Sequence, residues 1–286
     1  MRLEDINIRD PFVLANDQDK TYYLYGTTAA FNGVGFYCYS SKDLKEFEGP
    51  FRVFSPSDSF WGKKDFWAPE VYCIKGKYYL LASFFALDHR RGCQLFVSDS
   101  PKGPFVDYSD LLTPPDFEAL DATLCFDDSG YPYIVFCREW LQTKIGEMWR
   151  QDLSPDLKHP VGKPIYLFKG DDAKWASTKV FFSEERVCIT DGPFLYKSGK
   201  RKALLWSTFV DYKNYGFGYA LFDDENNVCA QSETILPVVD GGHCMVFKTF
   251  DGQDTLACHV DNRSSHERAK FIPIEFNDDG GLTIHE

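Results

Sequence analysis

The chain has 286 residues, 44% hydrophobic and 26% charged, which is enough to bury a sizeable core. Its formal charge of −12 lacks the basic footprint that phosphate backbones require, so an uncharged ligand is expected and a nucleic-acid partner is not. No run approaches the roughly 20 apolar residues of a membrane helix, so no membrane partner is expected either.

The first ten residues, MRLEDINIRD, are charged and carry no apolar signal core of about 7–15 residues, which points to a cytoplasmic protein. The nine cysteines form no CxxC pair, and most lie inside apolar runs. Buried free thiols in a reducing compartment are the expectation.

Aromatic residues make up 17% of the chain, with 26 Phe, and occur in short strand-like runs broken by turn residues. Five segments share one plan. In chain order they are DPFVLANDQDKTYYLYGT from Asp10, APEVYCIKGKYYLLAS from Ala68, DATLCFDDSGYPYIVF from Asp121, DGPFLYKSGKRKALLWST from Asp191 and GGHCMVFKTFDGQDTLACH from Gly241. Each reads as an apolar strand, a polar turn (DQDK, KGK, DDSG, KSGK, DGQD) and a second apolar strand, which is a β-hairpin. The starting points step by 58, 53, 70 and 50 residues. A recurring hairpin in units of about 40–50 residues or more is the pattern of propeller blades. The fold expected is all-β, a five-bladed β-propeller in a single domain spanning residues 1–286.

Inner strands of a propeller line one channel, so equivalent residues of the repeats converge. The first position reads Asp10, Ala68, Asp121, Asp191 and Gly241; the third reads Phe12, Glu70, Thr123, Pro193 and His243. A single aspartate at a strand end is an ordinary turn residue. Three at equivalent positions predict a carboxylate cluster, costly through mutual repulsion unless function requires it. Carboxylate oxygens with His243 could also hold a hard cation such as calcium.

The segments IRDPF, FWAPEVY, ALDATLCFDDSGYPYIVF and ITDGPFLYK, in that order, resemble glycoside hydrolase family 43. The resemblance implies a five-bladed propeller and an inverting hydrolase of α-L-arabinofuranosyl or β-D-xylosyl linkages in plant-type oligosaccharides, with no required cofactor. It implies Asp10 as general base, Asp121 as the residue that tunes and orients the acid, and a general acid at Asp191. It also implies a histidine near the channel axis at His243, in some members with a bound calcium or its waters.

One departure stands out. The family reads Glu-Gly-Pro where this chain has Asp191-Gly192-Pro193. Aspartate is one methylene shorter, so its carboxyl would sit roughly 1.5 Å farther from the scissile oxygen. Three readings follow: a shifted strand that restores Asp191 as the acid, a substitute acid at Glu139, or a carbohydrate-binding propeller without catalysis. A protein-interaction propeller does not need three channel carboxylates, and a phosphorylase reading lacks a clear phosphate-binding Arg/His cluster. If Asp191 is the acid, it must hold its proton near neutral pH while Asp121 stays ionised. Trp67 and Trp140 are candidate sugar platforms, with inter-blade packing as the alternative. Trp61, Trp149, Trp175 and Trp206 read as packing or rim residues. Glu70 could bind a sugar hydroxyl or pair with Arg263 or Arg268. Strict strand alternation places Arg9 and Asp10 on opposite faces, making Arg9 a rim or structural residue rather than the direct partner of Asp10.

Overall fold

The computed structural model describes residues 1–28, 33–198, 201–223, 227–263, 266–277 and 281–284. Consecutive strands form five four-stranded antiparallel sheets among these residues. The first blade holds β1 (Arg9–Asn16), β2 (Thr21–Thr27), β3 (Phe36–Ser41) and β4 (Glu48–Phe54). The second holds β5 (Lys64–Ile74), β6 (Lys77–Ala86), β7 (His89–Ser98) and β8 (Val106–Leu111). The third holds β9 (Ala119–Phe126), β10 (Pro132–Arg138), β11 (Glu147–Leu153) and β12 (Pro160–Lys169). The fourth holds β13 (Asp191–Ser198), β14 (Arg201–Phe209), β15 (Tyr215–Phe222) and β16 (Val228–Gln231). The fifth holds β17 (Gly242–Lys248), β18 (Asp254–Val260), β19 (Arg268–Phe276) and β20 (Leu282–Ile284). A four-residue helix, α1 (Trp140–Thr143), follows β10. The protein is a five-bladed β-propeller. Each hairpin read from the sequence is the inner pair of one blade; Gly199 and Lys200 of the KSGK turn lie outside the described residues.

The core lies between blades, because each sheet buries both faces against its neighbours. Phe36, Phe54, Phe66, Phe84 and Phe96 are all nearly inaccessible and pack in edge-to-face and tilted pairs between the first and second blades. Burying a side chain of this size stabilises the fold by about 1.5–3 kcal/mol. That explains the phenylalanine-rich composition: flat rings fill the wedge between two twisted sheets. The ring closes where the N-terminal segment meets the fifth blade, with Ile8 N–H donating to the Glu267 carbonyl at 3.2 Å. All nine cysteines are free thiols and seven are buried. No helix among the described residues is long and apolar enough to cross a membrane.

Every inner strand is bulged near its start, and the bulge sets the register of the site. Strand pairing jumps from Arg9 to Phe12, from Trp67 to Glu70, from Asp191 to Phe194 and from Gly242 to Met245; β9 breaks between Leu120 and Thr123. Each break contains a residue in the left-handed region: Asp10 (φ 53°), Ala68 (47°), Asp121 (54°), Gly192 (53°) and His243 (48°). Proline follows at Pro11, Pro69 and Pro193, where a missing N–H removes a ladder bond that the bulge makes unnecessary. Only Gly192 adopts this conformation free of strain, and its Cα is pressed so closely by the His243 ring that a Cβ would stand 2.7 Å from it. The four non-glycine residues are strained by about 1 kcal/mol or more each.

The strain is offset by a stitch from blade to blade. Ala68 N–H donates to Thr27 Oγ1 (2.8 Å), Asp121 N–H to Ser83 Oγ (2.8 Å), His243 N–H to Ser207 Oγ (2.7 Å) and Asp10 N–H to His259 Nδ1 (3.3 Å). Each acceptor lies in the last four residues of the second strand of the preceding blade. Gly192 N–H donates instead to Asp121 Oδ2 at 3.2 Å, because Cys137 occupies the corresponding acceptor place in β10.

This register corrects the alignment of repeats expected from the sequence. The counterparts of Asp10, Ala68 and Asp121 are Gly192 and His243, not Asp191 and Gly241. Asp191 stands one residue earlier, level with Arg9, Trp67, Leu120 and Gly242. The deeper level is Phe12, Glu70, Thr123, Phe194 and Met245, so Glu70 lies below His243 rather than beside it. Repeats counted from matching letters miss by one or two residues because the bulge, not the first polar residue, marks equivalence.

Candidate active site

At the end of the channel where the inner strands begin, a cavity of about 300 Å³ is lined by Arg9, Asp10, Thr27, Trp67, Leu120, Asp121, Glu139, Asp191 and His243. The residues at the bulges and those just before them supply most of this wall. A bulge turns two consecutive side chains toward one side, so the strand alternation that separates Arg9 from Asp10 does not hold here. Arg9 Nε stands 3.3 Å from Asp10 Oδ1. The guanidinium also donates to Asn262 Oδ1 at 2.5 Å and lies 3.6 Å from Glu267.

Asp10 is held from several sides. Thr27 Oγ1 donates to its Oδ2 at 2.7 Å, and His243 Nδ1 stands 3.0 Å from its Oδ1. Burial opposes the carboxylate charge, but His243 and Arg9 outweigh it and hold the acid well below the usual carboxylate range. Oδ1 has these cationic neighbours yet accepts no hydrogen bond of good geometry from the protein.

His243 reaches two acids, since its Nδ1 is also 3.8 Å from Asp121 Oδ2. Burial disfavours its charge, but Asp10 and Asp121 raise its pKa to about 9, so an imidazolium stands between them at neutral pH. His259 behaves oppositely. Burial and the Arg9 charge lower it to about 3, and its neutral ring accepts at Nδ1 and donates from Nε2 to Asn262 Oδ1 at 3.3 Å.

Burial raises Asp121 to about 7, helped by the Asp191 and Asp10 charges and opposed by His243. Asp121 is therefore not the firmly ionised group expected; it titrates close to neutrality. Asp191 is also raised by burial, with Arg9 and a hydrogen bond from Tyr215 pulling the other way. The Tyr215 hydroxyl donates to Asp191 Oδ2 at 2.8 Å, and its ring lies parallel to His259 with centroids 5.6 Å apart. Asp191 Oδ1 is left as the oxygen on which a proton can be carried.

Trp67 and Glu139 form one wall, braced by Arg91. The Arg91 guanidinium sits 4.0 Å from the Trp67 ring centroid, 3.4 Å from Glu139 Oε2 and 3.0 Å from Asp65 Oδ2, and the residue is 6% exposed. Burial raises the Glu139 pKa, against the pull of Arg91.

Two residues expected at the site are elsewhere. Trp140 packs against Phe182, with centroids 5.8 Å apart, and is absent from the cavity wall. Glu70 is buried in the channel below, where it accepts a short hydrogen bond from the Tyr72 hydroxyl. Burial raises it to about 8. It pairs with neither Arg263 nor Arg268; Arg268 donates to the Glu4 and Glu267 carbonyls.

Sequence reasoning missed Thr27, Arg91, Tyr215 and His259. A signal for part of this set was present: the second strands of four hairpins carry Thr27, Ser83, Ser207 and His259 near their ends, each able to accept a hydrogen bond. Arg91 and Tyr215 carry no such mark, being joined to the cavity only through the packing of outer strands.

A calcium ion held by His243 and the carboxylates fits poorly. His243 Nδ1 is paired with Asp10 and stands near Asp121, and an imidazolium there repels a cation. Among the described residues, no group of three or more His, Cys, Asp or Glu side chains is arranged as a metal site.

Residues 5–282 match the family model for glycosyl hydrolases family 43. The chain belongs to that family. As a family 43 protein it is a glycosidase. Among solved structures, an endo-arabinase from Bacteroides thetaiotaomicron is similar, at 36% identity over 97% of this chain and 98% of that one, with a TM-score of 0.89. An endo-1,4-β-xylanase from the same organism is similar at 27% identity, over 100% of this chain and 95% of that one, with a TM-score of 0.79. Among curated proteins, an extracellular exo-α-(1→5)-L-arabinofuranosidase from Cellvibrio japonicus is 24% identical, over 99% of this chain and 88% of the relative.

Proposed function

We propose that this glycosidase hydrolyses α-L-arabinofuranosyl linkages of arabinan-type oligosaccharides with inversion at the anomeric carbon. The observation that carries the reading is the division of charge in one cavity. Asp10 is held ionised by its cationic neighbours, while Asp191 is raised toward its protonated form. Asp10 takes a proton from water as the water attacks the anomeric carbon. Asp191, protonated, gives its proton to the departing glycosidic oxygen. The imidazolium of His243 stabilises the Asp10 carboxylate without competing for the proton. Asp121 accepts the Gly192 N–H beside Asp191, and the Asp10 charge adds to burial in raising Asp191. The preference for arabinose rests on the similarity to the endo-arabinase; the resemblance to the xylanase makes β-xylosyl linkages the second reading.

The test is a panel of 4-nitrophenyl α-L-arabinofuranoside, 4-nitrophenyl β-D-xyloside and linear α-1,5-arabino-oligosaccharides, with the anomer first released followed by NMR. Release of β-arabinose, abolished in a folded Asp10→Asn variant, is expected. Undiminished turnover by that variant, or first release of the α-anomer, overturns the assignment.

A further inference from the structure

The connections on the cavity side include residues 139–146, 170–190 and 210–214, between β10 and β11, β12 and β13, and β14 and β15. In the middle one, an isolated bridge joins Val180 to Ser183, and the two residues at the tip of that turn are Phe181 and Phe182. Turn tips ordinarily carry Gly, Asn, Asp or Ser, which cost nothing in water. Here two phenylalanines are 55% and 46% exposed, and Tyr212 of the adjoining connection is 54% exposed. They belong to one patch: Phe181 N–H donates to the Tyr212 carbonyl at 2.9 Å, and the two phenylalanine rings meet edge to face at 5.1 Å.

The patch is built in advance. Val180, Val187 and Ile189 form a small buried core beneath it, flanked by Trp140 and Phe209. Gly146 N–H donates to the Cys188 carbonyl at 2.7 Å, and Lys144 pairs with Glu185, so the turn is anchored to the connection that carries α1. The patch is also continuous with the cavity by two routes. Phe182 contacts Trp140, which directly follows the cavity residue Glu139. Phe209, which packs on both phenylalanines, also packs on Tyr215, the hydrogen-bond partner of Asp191.

We infer that Phe181, Phe182 and Tyr212 form a carbohydrate platform that holds glycosyl units of the substrate chain beyond those in the cavity. A cavity of about 300 Å³ has room for few sugar rings, so a longer chain must leave it across the surrounding surface. Exposed aromatic rings stack on the C–H faces of sugars, and a contiguous exposed apolar patch beside a site marks a binding surface. The net charge of −12 suits an uncharged glycan. The inference rests on the arabinan reading for the identity of the chain, and on geometry alone for the location of the platform.

The experiment compares wild type with Phe181→Ser and Tyr212→Ala on 4-nitrophenyl α-L-arabinofuranoside and on α-1,5-arabino-oligosaccharides of two to six units. Both variants should keep kcat/KM on the aryl glycoside within about twofold. On the hexamer they should lose about 5–10-fold, through KM, with the loss growing with chain length. Equal losses on short and long substrates, or no loss on the hexamer, overturn the platform. Retardation of each protein in native gels containing linear arabinan or xylan separates this from the arabinose assignment. If wild type cleaves no arabinoside, the proposed function fails; the platform still stands if one polysaccharide retards wild type and not the variants, and falls if neither does. A wild-type dimer that Phe181→Ser dissociates, seen by light scattering after size exclusion, also overturns it, because the patch is then an interface between copies.

Discussion

His243 Nδ1 stands 3.0 Å from Asp10 Oδ1, and the two residues occupy equivalent bulges in the last and first blades. The ring of blades is thus closed, at the level of the site, by an ion pair. Raising His243 from 6.5 to about 9 means the folded protein holds a proton that the unfolded chain releases. Its contribution to stability is whole below pH 6.5 and is lost as pH rises to about 9. The difference in urea unfolding free energy between wild type and His243→Gln should therefore be large at pH 6 and shrink toward pH 9.5. The same variant removes the largest charge that keeps Asp10 ionised, so the acid limb of its pH–rate profile should move upward.

Asp191 and Glu139 both line the cavity, and a leaving-group experiment separates them. Asp191→Asn should lower kcat/KM on arabino-oligosaccharides by about 10²–10⁴, the usual worth of a general acid. It should lower it far less on 4-nitrophenyl α-L-arabinofuranoside, whose phenolate departs with little protonation. Glu139→Gln should raise KM several-fold on both. The reverse pattern makes Glu139 the donor.

Tyr215 touches Asp191 but is absent from the cavity wall. Its hydroxyl bond to Oδ2 favours the ionised form of Asp191, so its removal raises the acid further. Tyr215→Phe should shift the basic limb of the pH–rate profile to higher pH, with kcat about 3–10-fold lower from the loosened carboxyl. An unchanged basic limb would show that Tyr215 only packs.

Ser207 is fully buried, and its hydroxyl accepts the N–H of His243 at 2.7 Å. Ser207→Ala leaves that N–H without an acceptor and should cost about 1–3 kcal/mol in chemical denaturation. Ser207→Thr, which keeps the oxygen but must fit a methyl group, separates the hydrogen bond from packing. If Ser207→Ala unfolds at the wild-type denaturant midpoint, the stitch carries no stability.

Much of the architecture was legible because the hairpin signals are local. DQDK and KGK between apolar runs specify turns by their own chemistry, and five such units leave few ways to bury ten sheet faces. The aspartates were legible for the same reason, as polar residues opening apolar strands. Register was not. Asp191 looks equivalent to Asp10 in the sequence, yet it occupies the place before the bulge, where Arg9 stands in the first blade. A bulge shifts the count by one residue while leaving composition untouched, and one residue reverses the face of every side chain after it.

The protonation states lay further out of reach. Asp10, Asp121 and Asp191 are the same amino acid, yet one is pushed below the ordinary range and two are pushed above it. Trp140 shows the same limit in packing: adjacent to Glu139 in sequence, it turns onto Phe182 while Glu139 faces the cavity.

The sequence by itself determined five hairpins and the ring that buries them. All of that follows from hydrophobic periodicity and turn chemistry acting over fewer than twenty residues. Only the tertiary structure decided which carboxyl is pushed below the ordinary range and which are pushed above it. Those shifts depend on burial and on charges such as Arg9, His243 and Tyr215-bound Asp191 meeting from different blades. Coulomb energy depends on distance through space, and distance along the chain does not encode it.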